Sequence, residues 1–158
     1  DGRALAWAAE SCRERGADDV VEVEADTSRT EDVVAIGHRA VERFGRIDVW
    51  VNNAGVVAIG PFTDVPLPDH DRIVDVNLKG VIHGSHAALR RFREQPTGGT
   101  LINVGSVEGV LPLAYQASYS ATKAGVLALG RALNEELRLA GTLVAVRQSR
   151  LSVLEERR

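Results

Sequence analysis

Tyr119 and Lys123 are the two residues of this chain whose types and spacing most clearly suggest chemistry. They are separated by about one helical turn, so both side chains leave the same face of a helix and can converge on one substrate atom. A tyrosine is ordinarily a poor base at neutral pH because its pKa is about 10. Since a nearby ammonium favours the phenolate, we expect Lys123 to lower the pKa of Tyr119 and make it a general acid–base.

The type of the basic residue at position 123 is itself informative. Nearly all of the 19 basic residues are arginines, and the only lysines are Lys79 and Lys123. A compact ammonium and a planar guanidinium are not interchangeable at a reacting site. The lysine at 123 therefore favours a functional role.

Hydrophobic periodicity alternates between helical and strand patterns along almost the whole chain. The pattern predicts helices over about 5–12, 30–44, 69–93 and 119–139, and strands over 20–25, 47–51, 100–104 and 143–146. Such alternation is typical of right-handed crossovers, which build a parallel sheet covered by helices on both faces. The predicted fold class is therefore α/β.

Polar residues follow three of the predicted strands at their carboxyl ends. They are Asp26, the run Asn52-Asn53-Ala54-Gly55, and Gly105-Ser106. In open parallel sheets, ligands bind beyond the carboxyl ends of the strands. The sequence thus predicts one binding site at this edge, although the Asn-Gly run also suits a simple turn and Asp26 also suits a helix N-cap.

Composition excludes several classes of function. The net charge of −3 gives no basic surface for nucleic acid, and no apolar run approaches the roughly 20 residues that span a bilayer. A single cysteine, Cys12, excludes an internal disulfide framework and fits a reducing, cytoplasmic location. His83 and His86 have a spacing that metal ligands can use, but no further ligand accompanies them, so we expect no metal site.

Taken in order, these motifs resemble those of the short-chain dehydrogenase/reductase family. The matching features are Asp26-Thr27, Asn52-Asn53-Ala54-Gly55, Asn77 in Val76-Asn77-Leu78-Lys79-Gly80, Ser106 in Asn103-Val104-Gly105-Ser106, and Tyr119-x-x-x-Lys123. The similarity extends from about residue 3 to Gly141. It implies a Rossmann-like doubly wound parallel sheet and an oxidoreductase that interconverts a carbonyl and a secondary alcohol with NAD or NADP.

The resemblance also implies a role for each catalytic residue. Tyr119 would exchange a proton with the carbonyl or alcohol oxygen, and Ser106 would orient that oxygen by a hydrogen bond. Lys123 would lower the pKa of Tyr119, and Asn77 would hold a water that connects Lys123 to solvent. Glu108 is a weaker candidate, for substrate contact.

The cofactor would be held by residues at the same edge. Asp26 would contact the adenine ring, and Asn53, Ala54 and Gly55 would line the adenosine side. Lys123 would bind the nicotinamide ribose next to Tyr119. The apolar segment 107–116 suggests a hydrophobic small-molecule substrate, and the resemblance implies a homodimer or homotetramer in which Gly80, Gly84, Ala87 and Ala88 allow close helix packing.

The chain departs from the family pattern at both ends. The glycine-rich turn T-G-x-x-x-G-x-G does not occur, and Arg147-Gln148-Ser149-Arg150 stands where the family usually has a Pro-Gly turn. We therefore expect a partial fold that lacks the first two strands and the last strand, with a core fragment at 1–141 and a last strand and divergent charged tail at 142–158. Such a fragment would fold poorly and bind cofactor weakly.

Two other functions stay open at this point. A non-catalytic truncated remnant or interaction module would also explain the missing ends. An epimerase or dehydratase of the extended branch would use the same Tyr-Lys pair, although the Asn-Asn-Ala-Gly run favours the simple dehydrogenases.

Overall fold

The computed structural model describes residues 2–151, with side chains to residue 148, so the end of the charged tail lies outside the described residues. The helices are α1 (Gly2–Glu14), α2 (Thr30–Phe44), α3 (Leu67–Val74), α4 (Gly80–Glu94) and α5 (Ala117–Leu139). The strands are β1 (Val49–Asn52), β2 (Gly99–Ser106) and β3 (Val144–Leu151). A parallel sheet of order β1-β2-β3 confirms the α/β class and the partial Rossmann-like fold.

Local sequence signals explain where the helices begin and end. α2 has the predicted bounds: two acids in its first turn suit the positive end of the helix, and Gly45 ends it in the left-handed conformation. The helix predicted over 69–93 forms as a continuous helical run over 67–94, but it is not α-helical throughout. A π-helical turn, Asp75–Lys79, separates α3 from α4 and contains Asn77.

One face of the sheet carries the hydrophobic core. Trp50, Leu101 and Val146 are paired across the three strands and therefore point to the same face. Helices α2, α4 and α5 pack on this row. The buried members of the core are Val33, Ile47, Trp50, Ala88, Phe92, Leu101, Leu137 and Val146.

The opposite face of the sheet is open at β1. Val49 and Val51 alternate with Trp50 along this strand, and they are 53% and 52% exposed. The expectation of helices on both faces is therefore wrong for β1 in the described part of the chain. The cause is that α2, α4 and α5 all lie on the Trp50 side.

The strand predicted over 20–25 does not form. The sheet of the described residues has three strands, and none of them pairs with this segment. A strand gains its backbone hydrogen bonds only from a neighbouring strand, so an apolar run alone is not sufficient. The strand prediction was wrong, because the first two strands that would pair with this segment are not in this sheet, as expected for the partial fold.

The small residues of α4 serve packing within the chain. A Cβ at Gly84 would lie 1.9 Å from Asn52 Oδ1, a Cβ at Gly80 would lie 3.0 Å from Thr27 Oγ1, and Ala88 is fully buried. These three residues are therefore not available to a helix of another subunit, and that part of the oligomer argument was wrong. None of the helices in residues 2–151 has the length and apolar character that crossing a membrane requires.

Candidate active site

The end of β2 and the start of α5 place three of the predicted residues together. Ser106 is the last residue of β2, and it is followed by a 3₁₀ turn, Val107–Gly109. α5 then begins at Ala117, so Tyr119 lies in its first turn and Lys123 one turn later. Lys123 Nζ is 5.5 Å from the centre of the Tyr119 ring, which confirms that the two side chains share one face.

Lys123 is a buried cation. It is 4% exposed, and its Nζ donates a hydrogen bond of 3.0 Å to the carbonyl oxygen of Val104 in β2. Burial lowers the pKa of the Lys123 ammonium, because a charged group loses hydration there. A buried ammonium beside a strand end is a position from which it can bind a ligand hydroxyl.

The pKa of Tyr119 is raised, which corrects the sequence expectation. Burial of the phenol is the main cause, and the nearby Glu108 carboxylate adds to it, whereas a hydrogen bond with the Ser106 hydroxyl opposes it. Burial disfavours the phenolate, and the expected lowering of the Tyr119 pKa by the Lys123 ammonium is not found. Tyr119 is therefore a protonated acid in this structure, beside the Ser106 hydroxyl.

Asn77 holds the segment that follows β1. Its Nδ2 donates to the Val56 carbonyl and its Oδ1 accepts from the Val56 amide, both at 2.8 Å. A Cβ at Gly55 would lie 3.5 Å from Asn77 Oδ1 and 3.9 Å from Lys123 Nζ. The structure thus brings the Asn-Asn-Ala-Gly segment, the π-helical turn and the buried ammonium to one place.

Thr122 is a site residue that the sequence reasoning missed. It is buried, its Oγ1 donates 2.7 Å to the Tyr119 carbonyl, and it accepts from Asn77 Nδ2 at 3.4 Å. It therefore connects the π-helical turn to α5. A buried threonine that bonds a carbonyl of its own helix gives no distinctive sequence pattern, because this bond is common in helices.

Asp26 organises the turn before α2. Its carboxylate accepts from the Ser28 amide and hydroxyl, at 2.9 and 2.7 Å, and forms an ion pair of 3.1 Å with Arg72. The N-cap of α2 is Arg29, so Asp26 does not take the alternative role of helix N-cap. These bonds lower the pKa of Asp26 to about 2, with the Ser28 hydroxyl as the largest cause.

We predict that Asp26 makes the free energy of unfolding depend on pH in the acidic range. Its pKa is lower in the folded chain than the ordinary 3.8, so its contribution is present above that pH and is lost as the pH falls towards about 2. Urea unfolding at a series of pH values should show this loss in the parent and a flatter profile in Asp26→Asn. The exposed Asp18, changed in the same way, is the control. An equal slope in parent and Asp26→Asn would contradict the prediction.

Asn53 and Ala54 line a groove beside β1. The groove has a volume of about 260 Å³, and Thr27, which follows Asp26, forms part of its wall. Asn52 turns inward instead: its Nδ2 donates 2.8 Å to Asn103 Oδ1 and its Oδ1 accepts 2.9 Å from Trp50 Nε1. Asn53 and Ala54 therefore line this groove together with Asn52, whose side chain is bonded within the chain, whereas Gly55 is not part of its wall.

The remaining polar candidates lie apart from this group. His83 Nδ1 is 3.2 Å from the Thr27 carbonyl oxygen, and no group of three or more metal-ligating side chains occurs in residues 2–151. Tyr115 is exposed and has a positive φ of 67°, so it does not compete with Tyr119 for the position beside Ser106.

Comparison with known proteins agrees with this geometry. Residues 2–150 match the family model described as short chain dehydrogenase. The chain belongs to the short-chain dehydrogenase family. The predicted family is therefore confirmed, and the match extends beyond the range 3–141 that the sequence motifs covered.

Two curated relatives show the level of similarity. A 3beta-hydroxysteroid dehydrogenase 1 of Eggerthella lenta is 39% identical over 111 residues, which are 70% of this chain and 42% of that protein. A (5R,7aS)-5-hydroxy-7a-methyl-1-oxo-2,3,5,6,7,7a-hexahydro-1H-indene-carboxyl-CoA reductase of Mycobacterium tuberculosis is 42% identical over 112 residues, 71% of this chain and 43% of that protein. The chain thus aligns with less than half the length of each relative.

A solved structure supports the same short-chain dehydrogenase fold. The chain superposes on a short chain dehydrogenase/reductase of Burkholderia phymatum, crystallised in complex with NAD, with a TM-score of 0.91 and 32% identity. The superposition covers 96% of this chain and 54% of that one. That protein binds the class of cofactor that the sequence of this short-chain dehydrogenase predicts.

Proposed function

We propose that this chain carries the acid–base site of an NAD(P)-dependent dehydrogenase that interconverts a carbonyl and a secondary alcohol. The observation that carries the proposal is the Tyr119 phenol, which lies beside the Ser106 hydroxyl and has its ring centre 5.5 Å from a buried ammonium. A protonated phenol and a second hydroxyl at one point suit a carbonyl oxygen, because one can donate a proton and the other can hold the oxygen in place.

In the direction of reduction, the carbonyl oxygen would lie between Ser106 and Tyr119. The nicotinamide cofactor supplies a hydride to the carbonyl carbon when it is bound. Tyr119 donates its phenolic proton to the oxygen as negative charge develops there, and Ser106 donates a hydrogen bond to the same atom. Lys123 then stabilises the phenolate, which recovers a proton from solvent.

Residues of this chain fit two parts of the cofactor. Lys123 has a buried ammonium beside Tyr119, and it would bind the ribose hydroxyls next to the nicotinamide. Asn53 and Ala54 face the groove that Thr27 completes, and they would lie along the adenosine half with Asp26. The side chain of Asn77 holds Val56 in place, so its proposed part in a proton relay would depend on its backbone or on a neighbouring group.

The substrate class that we propose is an alicyclic ketone or secondary alcohol with fused rings. Exposed apolar side chains lie in the two loops that precede α3 and α5, including Val57, Ile59, Val110, Leu111 and Leu113. A backbone hydrogen bond of 3.0 Å joins the loops at residues 60 and 115. The relatives from Eggerthella lenta and Mycobacterium tuberculosis are named for compounds with fused rings, which supports the same class.

We expect the chain to oxidise a reduced nicotinamide donor in the presence of a fused-ring ketone. NADH, NADPH and the reduced mononucleotide of nicotinamide should be compared, because the mononucleotide lacks the adenosine half and does not need a pyrophosphate-binding turn. Donor oxidation and alcohol formation are measured together. The Tyr119→Phe variant is the control for the reaction at this site.

The outcomes separate this function from the alternatives. Ketone reduction that Tyr119→Phe removes would support the proposal. Absence of alcohol with every donor, from a chain that shows a cooperative thermal transition, would overturn it. Equal rates in parent and variant would place the reaction elsewhere.

A further inference from the structure

Glu108 is a buried acid that the proposed reaction does not use. It lies in the 3₁₀ turn between β2 and α5 and is 3% exposed. Acidic residues are rarely buried to this extent unless they are paired. No basic side chain bonds it, and its Oε1 has no hydrogen-bond partner among the described residues. Keeping such a group buried is costly, which suggests a specific purpose.

Two polar groups of Glu108, its backbone amide and its carboxylate, bond the β2 side and the α5 side of the candidate site. Its backbone amide donates 3.2 Å to the hydroxyl oxygen of Ser106. Its Oε2 accepts a 3.0 Å hydrogen bond from Ser120 Oγ, in the first turn of α5 and adjacent to Tyr119. Because the Ser106 oxygen accepts from Glu108, its own hydrogen is available to the Tyr119 phenol.

Ser120 extends this connection to the apolar loop. Its Oγ also accepts from the Leu113 amide at 3.4 Å, so one buried hydroxyl bonds both Glu108 and the loop before α5. Loss of the carboxylate would therefore disturb the end of β2, the start of α5 and the loop that we propose to face the substrate.

We propose that Glu108 is a positioning residue, which ties the end of β2 to the first turn of α5 and so keeps the Ser106 and Tyr119 hydroxyls in contact. This inference rests on the proposed acid–base function of Tyr119. It differs from the sequence expectation that Glu108 contacts substrate, because the carboxylate is directed to Ser120 and is buried.

The charge of Glu108 has a measurable effect on the pKa of Tyr119. Its carboxylate raises the pKa of Tyr119 and so favours the protonated phenol, the form that a carbonyl reduction needs. The other ionisable groups near Tyr119 are Lys123 on the same helix and His70 of α3, whose Nδ1 is 2.7 Å from Ser118 Oγ. The site residues on the π-helical turn and on β2 are Asn77 and Ser106, and neither carries a charge.

The test is a tyrosine titration that needs no turnover. The chain has two tyrosines, so in a Tyr115→Phe background the only phenol is that of Tyr119. Phenolate formation is followed by near-ultraviolet absorbance and by carbon NMR of labelled tyrosine, with circular dichroism at each pH to show that the chain is folded. Glu108→Gln keeps the shape and an acceptor for Ser120 but removes the charge.

We expect Glu108→Gln to lower the titration midpoint of Tyr119, because it removes the carboxylate charge that raises the pKa of the phenol. The exposed Glu135 of α5, changed to Gln, should leave the midpoint in place. An unchanged midpoint in a folded Glu108→Gln chain would show that the Glu108 carboxylate does not act on the Tyr119 phenol, and it would overturn the proposal. A shifted midpoint together with absent turnover would leave this inference standing while the proposed function failed.

A second variant keeps the proposal testable where Glu108→Gln does not fold. Ser120→Ala removes the hydroxyl that bonds the carboxylate and leaves the charge, so the Tyr119 midpoint should move upward instead. The same midpoint in Ser120→Ala and in the Tyr115→Phe parent would overturn the proposal. Opposite shifts in the two variants would show that the Glu108 charge acts on the phenol.

Discussion

Replacing Tyr119 by phenylalanine is expected to lower the rate of carbonyl reduction by about 10²- to 10⁴-fold, the range typical of a lost general acid–base group. The phenylalanine ring fills the same space beside Lys123 but has no proton to donate. Ser106 would still hold the carbonyl oxygen, so substrate and cofactor binding should change much less than turnover. The measurement is the single-turnover rate with saturating donor and ketone.

Stability distinguishes this effect from general damage. The lost group is one half-buried hydroxyl beside Ser106, and a hydroxyl in such a position contributes only about 1 kcal/mol to the free energy of unfolding. Tyr115→Phe is the matched control, since it removes the other phenol from an exposed position. Full turnover in Tyr119→Phe, or an equal loss in Tyr115→Phe, would contradict the assignment of Tyr119.

Elements that depend on local sequence could be predicted well. The bounds of α2 follow from its apolar stripe and from Gly45, which is the residue type that ends a helix in the left-handed conformation. The end of β2 at Ser106 follows from a buried apolar run that leads into polar residues. These signals lie within a few residues of the feature they determine.

Elements that depend on distant partners could not be predicted in the same way. The segment 20–25 has a strand composition, but no strand of the described residues lies beside it. The π-helical turn at Asn77 accompanies bonds to Val56, a residue 21 positions earlier, which periodicity does not reveal. The prediction of one helix over 69–93 therefore missed the π-helical turn that contains Asn77.

The electrostatics of the site show the same limit. The spacing of Tyr119 and Lys123 predicted their contact correctly, but it predicted the wrong direction for the pKa of Tyr119. That direction depends on how far the phenol is buried and on Glu108, which the chain brings near only through the turn after β2. Spacing identifies which groups meet, whereas burial decides which protonation state they favour.

The second large effect is expected at Gly84, where alanine should destabilise the fold. Its Cβ would lie 1.9 Å from Asn52 Oδ1 and 3.1 Å from Trp50 Nε1. Asn52 cannot simply move aside, because it bonds Trp50 and Asn103 in addition to residues of α4. Overpacking and a lost buried hydrogen bond together should cost about 2–5 kcal/mol, a large share of the roughly 5–15 kcal/mol that stabilises a typical domain.

Helix propensity alone predicts that Gly84→Ala stabilises the fold. In a helix, alanine is favoured over glycine by up to about 1 kcal/mol, so the clash must exceed this gain for Gly84→Ala to destabilise. Gly2→Ala is the matched control, because nothing lies within 4 Å of the Cβ position at Gly2 in α1. Urea unfolding should show a large loss for Gly84→Ala and no loss for Gly2→Ala. Equal stability of Gly84→Ala and the parent would contradict the packing argument.

A double-mutant cycle identifies the cause of the loss. Asn52→Ala removes the oxygen that the new Cβ would meet, and it is itself destabilising because Trp50 Nε1 and the buried Asn103 lose a partner. In that background, Gly84→Ala should cost much less than it does in the parent, so the two changes are strongly non-additive. Additive costs would show that Gly84 is required for a reason other than Asn52. Non-additive costs would show that this glycine allows the inward turn of Asn52, which leaves Asn53 and Ala54 facing the groove.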